Sequence, residues 1–379
     1  MMERMRFCAP FLLMAMIASA AENIVYIGTY TNTGKSEGIY AYRFDPDSGK
    51  LTEIGLAGKT TNPSFVAIHP SHKYLYAVSE VSGGGGQPSG AVTAFSIDHN
   101  TWKLTPLNQV PSHGNGPCYV SVDKTGKAAL VANYNSGSVA LLPIKADGSL
   151  GEATAFDQRE GKGTDPKRQS SPHAHSIFAS PDNRFALSAD LGLDRVYVYK
   201  LDPKAGKMTA NDPPFASTKP GGGPRHFDFH PNEKFVYVIQ EMGSAITAFS
   251  YDKARGAMAE LQTVSTLPAD FKGESTCADI HVHRSGKFVY GSNRGHDSIA
   301  VFAVDPKKGT LTLVDHTSTQ GKVPRNFGID PTGKFLIAAN QNTNNIVVFR
   351  IDQQTGKLTP TGQNLEVGAP VCVRFMAAQ

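Results

Sequence analysis

The sequence predicts an all-β fold: a seven-bladed β-propeller, four antiparallel strands per blade, its ring closed by a C-terminal strand that joins the N-terminal blade. Three observations predict it. First, one phrase recurs, a basic residue after a turn, then an apolar run, then small or polar residues. It reads SHKYLYAVSE, TGKAALVANY, DNRFALSADL, NEKFVYVIQE, SGKFVYGSNR and TGKFLIAANQ. Its basic residues, Lys73, Lys127, Arg184, Lys234, Lys287 and Lys334, follow one another at steps of 54, 57, 50, 53 and 47 residues. Four short strands at such a period are the signature of a propeller blade. Second, 37 Gly and 24 Pro in 379 residues, with 18% charged residues, suit a turn-rich β protein better than a helical one. Third, the two ends complement each other. NIVYIGTY near the start is a seventh copy lacking its first part, and APVCVRF at the end reads as one more first strand.

Within each repeat the elements follow in a fixed order. A first strand ends in a turn, as in PSFVAIHP, RHFDFHP and RNFGIDP. The recurring phrase is the second strand. An alternating third strand follows, such as GAVTAFSID, DRVYVYKLD, SAITAFSYD, DSIAVFAVD or NNIVVFRID. A short fourth strand comes after a turn, as in GKLTEIG, WKLTPL, GTLTLVD and GKLTPTG. A ring has no stable part, so residues 21–379 are expected to form one propeller domain.

The first twenty residues read as an address. Arg4 and Arg6 precede an apolar run from Phe7 to Ile17, and Ala18-Ser19-Ala20 supplies a small-residue cleavage site. The run is too short for a comfortable membrane span. A cleaved signal peptide, residues 1–20, is therefore expected, with a secreted or periplasmic mature chain that does not sit in a membrane. The net charge of +4 is spread without a basic run, which argues against nucleic acid as a partner. A closed ring has no need to pair, so a monomer is expected. Cys118, Cys277 and Cys372 are widely spaced. They form no disulfide framework or metal pair, and they leave either one bridge or three buried thiols.

Aligning the repeats brings distant residues to one mouth of the ring. Nine residues before the basic residue, at the start of the inner strand, stand Ser64, Cys118, His175, Arg225, Ala278, Arg325 and, by extension, Val371. Seven residues after it, at the end of the second strand, stand Tyr30, Glu80, Tyr134, Leu191, Glu241, Arg294 and Gln341. Three arginines, a glutamate and a histidine in one funnel would be costly as packing. They suit an anionic or oxyanion-forming ligand, because arginine donates in a planar fork and a neighbouring His or Glu can act as base. Blade-to-blade salt bridges across a watery channel are the plainer alternative.

HSIFASPDNR, GPRHFDFHPNEKFVYVIQE, ADIHVHRSGKFVYGSNR and PRNFGIDPTGKFLIAANQ resemble the lactonase family of seven-bladed propellers, over essentially the whole chain after the leader. That family includes propeller-type 6-phosphogluconolactonases and carboxy-cis,cis-muconate cyclase. The resemblance implies catalytic roles for His175, Arg225, Glu241 and Arg294, and a sugar-type lactone, small and anionic, as the substrate. It implies hydrolysis by water attack on the ring carbonyl, with His175 or Glu241 as base and arginines holding the oxyanion. Arg325, Glu80, Tyr134, His173 and His281 are the substrate-binding candidates. No metal and no cofactor are expected, because lactones are activated esters. The leader separates this chain from phosphorylated cytoplasmic substrates, though not from lactones. A muconate-type lactonising cyclase and a non-catalytic extracytoplasmic binding or scaffold propeller are the alternatives.

Other motifs carry less. GTYTNTGKS nearly spells a phosphate-binding loop, but its glycines are one residue too far apart and no helix follows. His281 and His283 alternate on one strand without a third metal ligand, so packing or a channel hydrogen bond is the simpler reading. No G-x-S-x-G elbow is present, and a serine-hydrolase mechanism has no support. The Gly83–Gly86 run reads as a plain connector.

Overall fold

A computed structural model describes residues 22–83 and 90–377. The expected leader and most of the Gly83–Gly86 run lie outside these residues. The described chain forms seven four-stranded antiparallel sheets. Blade 1 holds Asn23–Thr29, Gly38–Phe44 and Leu51–Lys59, with Pro370–Met376 as its inner strand. Blades 2 to 7 then cover residues 66–111, 117–158, 174–217, 224–265, 276–318 and 324–366. Each runs in chain order from the inner strand outward.

Both faces of a blade pack on neighbouring blades, which explains the unbroken apolar runs of the recurring phrase. Phe185, Leu187, Val196 and Val198 of blade 4 form one cluster with Val236, Val238 and Phe249 of blade 5. Equivalent clusters join blades 5 and 6, 6 and 7, and 7 and 1. The last of these seats Val373 of the terminal strand beside Val25 and Ile27. That strand pairs antiparallel with Asn23–Thr29, Ile24 opposite Met376 and Ile27 opposite Val373. The three cysteines are buried free thiols, so of the two readings left open the bridge is absent.

The repeat's turn residues are contacts between blades. His69, His230 and His283 close the inner strands of blades 2, 5 and 6. Each places Nε2 on a glycine carbonyl of the next blade, Gly126, Gly286 and Gly333, at 3.1, 2.9 and 2.8 Å. Tyr76, Tyr237 and Tyr290 of the second strands donate across to Gly148, Gly309 and Gly356 carbonyls at 3.0, 3.0 and 2.8 Å. Gly309 has φ +71, and a Cβ there would lie 2.4 Å from Phe235.

Two glycines with left-handed backbone, Gly309 in a turn and Gly362 at a register shift inside Leu358–Glu366, separate strain from contact. Gly362 also has a left-handed φ, +88, but a Cβ there meets nothing within 4 Å. Gly362→Ala is expected to cost only the backbone strain, about 1 kcal/mol. Gly309→Ala adds a clash in a packed seam and is expected to cost about 2–4 kcal/mol. Guanidinium unfolding of the two variants checks the difference; equal losses would show that the blade seam yields.

Candidate active site

Each inner strand delivers its first residues to one end of the central channel, and each second strand, running antiparallel, returns its last residue to the same end. The pairing confirms the geometry. In blade 5 Pro224 lies opposite Gln240, beside Arg225 and Glu241, and in blade 6 Thr276 lies opposite Arg294. The result is a funnel of about 350 Å³ lined by Glu80, Cys118, Tyr134, Arg168, His175, Glu241, Arg294 and Arg325, among others. A narrow neck below it is lined by Ser64, Glu80, Arg225, His226 and Arg325.

Glu241 is the node. Its Oε2 accepts from Arg225 Nε at 2.9 Å and pairs with the Arg294 charge, Nη2 at 3.0 Å, and its Oε1 accepts from Arg168 Nη2 at 2.6 Å. Burial by itself would raise the Glu241 pKa. The charges of Arg294 and Arg225, with the Arg168 hydrogen bond, overcome it and hold the carboxyl down at about 2. Arg225 is buried, and burial together with Arg325 and Arg294 pushes its pKa down to about 10, so it stays charged at neutral pH. Arg294 also donates to the Cys277 carbonyl at 2.7 Å, and its buried Nε has no partner among the described residues. Among the described residues Arg325 makes no ion pair; its guanidinium lies 5.5 Å from the centre of the Tyr30 ring. Four arginines against Glu241 and Glu80 give the funnel a positive excess.

His175 is buried with Nε2 3.9 Å from Glu241 Oε2. Burial, and then the charges of Arg225, His226 and Arg325, hold its pKa well below the usual 6.5. It is thus a neutral imidazole beside a fixed carboxylate. Cys118 Sγ lies 3.7 Å from His175 Nδ1, an arrangement that invites a thiolate. Burial and the Glu80 charge instead push the thiol's pKa up, and Sγ bonds the Ala174 and His175 carbonyls. A cysteine nucleophile is not built here. Glu80 accepts from the Tyr30 hydroxyl at 2.9 Å and from the Ser64 hydroxyl. Among the described residues no group of three His, Cys, Asp or Glu could hold a metal ion.

The structure thus brings His175, Arg225, Glu241, Arg294, Arg325, Glu80 and Tyr134 to one mouth. His173 stands beside the funnel rather than in its lining: its ring stacks on Tyr134 at 4.5 Å, with Nδ1 3.0 Å from the Tyr134 carbonyl. His281 must be corrected. It lies three residues beyond Ala278 on the inner strand, about 10 Å further down the channel at a strand's rise. There it bonds Asp279 Oδ2 at 3.1 Å and lines a different cavity with Arg374 and Phe375. Arg168 is the residue that the repeat could not find. It sits in the long connection between Ala155–Gln158 and Ala174–Ala179, which has no counterpart in the other blades. Buried Gln169 anchors that connection by donating to the Leu191 carbonyl and accepting from the Thr164 and Asp165 amides. The signal was the length of the insertion together with its basic DPKRQ stretch.

The comparisons with known proteins agree with this fold. The family described as "Lactonase, 7-bladed beta-propeller" matches residues 24–375. The 6-phosphogluconolactonase of Bacillus subtilis (strain 168) is 42% identical over 93% of this chain and 98% of its own. One from Formosa agariphila is 35% identical over 81% of this chain and 86% of its own. The solved structure of a periplasmic gluconolactonase from Pseudomonas aeruginosa has a TM-score of 0.87 at 36% identity, covering 94% of this chain and 99% of that one.

Glu241→Gln leaves three arginines around a neutral amide. It is expected to cost about 3–5 kcal/mol of stability at pH 7, read by chemical denaturation. The Glu241 carboxyl has a folded pKa of about 2 against an ordinary 4.5. Its stabilisation is therefore complete above pH 4.5 and fades as the pH falls toward 2. The gap between wild type and variant should close over that same window; a gap independent of pH would show that charge is not its source.

Proposed function

The chain belongs to the lactonase family of seven-bladed β-propellers, and on that premise we propose that it hydrolyses a sugar-type lactone with His175 as general base. The single observation that carries the proposal is the contrast between the two basic groups in the funnel. Glu241 has both oxygens engaged by arginines and a pKa of about 2. It is too weak a base, and too occupied, to take a proton from water. His175 is neutral and buried, with Nε2 3.9 Å from that carboxylate, whose negative charge faces the imidazolium formed when the proton arrives.

Water bonded to His175 attacks the ring carbonyl carbon. Its proton passes to His175 and the carbonyl oxygen becomes an oxyanion. Arg225 and Arg294, both held by Glu241, supply preorganised donors for it, in a setting where charge is poorly screened by water. As the intermediate collapses, the ring C–O bond breaks. His175 returns the proton to the leaving alkoxide, giving the hydroxy acid. Glu241 holds Arg168, Arg225 and Arg294 in place. Arg325, which makes no ion pair among the described residues, binds a substrate carboxylate, phosphate or polar hydroxyls.

A sugar lactone met outside the cytoplasm is the favoured substrate. The leader-like start of the sequence and the likeness to a periplasmic gluconolactonase support it.

Acid release from glucono-δ-lactone and from 6-phosphogluconolactone tests the proposal, and the ratio of the two rates shows whether phosphate is recognised. His175→Ala and Arg294→Ala are expected to lose on the order of 100-fold or more in kcat. Arg325→Ala should act mainly on KM. The base must be deprotonated, and its pKa lies well below 6.5. Activity should therefore be flat across pH 6.5 and fall only at more acid pH. Full activity in both His175→Ala and Arg294→Ala would end this mechanism. No turnover of either lactone would move the reading to muconate-type cyclisation or to a binding platform.

A further inference from the structure

Below the funnel the channel holds a row of charged and polar groups that the scheme above does not use. His226 follows Arg225 on the same inner strand. Its Nδ1 lies 2.7 Å from Asp279 Oδ1. Arg225 Nη1 lies 3.3 and 3.5 Å from the two His226 ring nitrogens, so the guanidinium rests against the imidazole. The same Nη1 donates to the carbonyl of Ala278, the residue before Asp279. One short stretch of blade 6 therefore grips an arginine of blade 5 twice, once by its backbone and once through a histidine.

Asp279 is itself held from several sides. Its Oδ2 accepts from His281 Nε2 at 3.1 Å, from the Asn326 amide and from the Phe327 backbone N–H at 3.4 Å. Its own N–H donates to Ser292 at 2.9 Å. Burial would raise its pKa, but the His281 charge and the hydrogen bonds from His226 and His281 hold it well below the usual carboxylate range. His226 is pushed down to about 3, chiefly by burial and then by Arg225, so its ring is neutral. A neutral imidazole that bonds a carboxylate through Nδ1 carries its single proton there. Its ring is then electron-rich and faces a cation, a favourable contact that an imidazolium would reverse. Phe65, Tyr119 and His175 pack edge-on around it at 5.8, 5.2 and 5.2 Å and fix its plane.

We propose that Asp279, acting through His226, is a positioning residue for Arg225: it holds the imidazole as a neutral platform that aims the guanidinium into the neck of the funnel. With Nε on Glu241 and Nη1 on Ala278 and His226, Nη2 is the donor of Arg225 without a partner among the described residues. The kinetic part of the argument rests on the lactonase reading; the structural part does not.

A double-mutant cycle tests the kinetic part. Asp279→Asn is expected to lower kcat by ~10-fold or more with KM changed less than about twofold, because Arg225 meets charge that develops only in the transition state. In an Arg225→Lys background the same substitution should cost less than about twofold, since the group it positions is gone. A merely structural role would cost the same factor in both backgrounds, and that result overturns the proposal, as does wild-type kcat in a folded Asp279→Asn protein. If Asp279→Asn does not fold, His226→Gln replaces it in the cycle with the same expected and overturning outcomes. Nitrogen-15 NMR of histidine-labelled protein reads the platform without any substrate. The expected signal is a neutral His226 with its proton on Nδ1, lost or mixed in Asp279→Asn. A His226 that is charged at neutral pH, or carries its proton on Nε2, sinks the proposal whatever the activity. A locked His226 in a wild type that hydrolyses no lactone would instead count against the lactonase reading alone.

Discussion

The pairing of the last strand with the first is the constraint on which everything else depends. Residues 370–376 are separated from residues 23–29 by almost the whole chain, yet they form one sheet with them. Once the ring is closed, the inner strands of all blades point the same way and deliver equivalent residues to one rim. The site is therefore not a local motif. His175, Arg225, Arg294 and Arg325 come from four different blades, and no single blade holds the site. The seams that keep the ring closed are repetitive, apolar in the middle and bonded by histidines and tyrosines to the next blade's turns.

At that rim the central problem is charge. Four arginines in a partly buried funnel repel one another, and burial penalises each of them. One carboxylate, Glu241, engages three, with Arg225 and Arg294 sharing a single oxygen. That arrangement holds the donors stiffly and leaves a positive excess toward the opening. It also explains why the most conspicuous acid in the site is unsuited to proton transfer, while the less conspicuous histidine beside it is kept neutral. Below, the same economy is repeated in opposite order: a buried carboxylate, Asp279, gathers two histidines and an asparagine and supports the arginine from underneath.

Much of this was legible in the sequence because the repeat has a period. A fifty-residue step fixes which residues are equivalent, and the antiparallel order of strands fixes which ends share a face, so seven of the nine site candidates fall together by counting alone. Counting fails where the period is broken. Arg168 sits in an insertion that no other blade has, and nothing in its neighbours says which way the loop folds. Counting also ranks residues by strand without depth. His281 is on the right strand but three residues too far along it, which at a strand's rise is about 10 Å, enough to move it out of the funnel and into another cavity.

The sequence by itself determined the architecture, the closure by a terminal strand and most of the residues at the mouth, because hydrophobic period and turn chemistry are local properties repeated seven times. The tertiary structure alone decided the surroundings and partners of each charged group. Whether a glutamate is a base or a clamp, whether a histidine is charged, and whether a cysteine beside it is reactive all depend on burial and on neighbours within a few ångströms. Those neighbours come from other blades and from one irregular loop. Identity and spacing cannot supply them, since the same Glu, His and Cys would ionise differently in water.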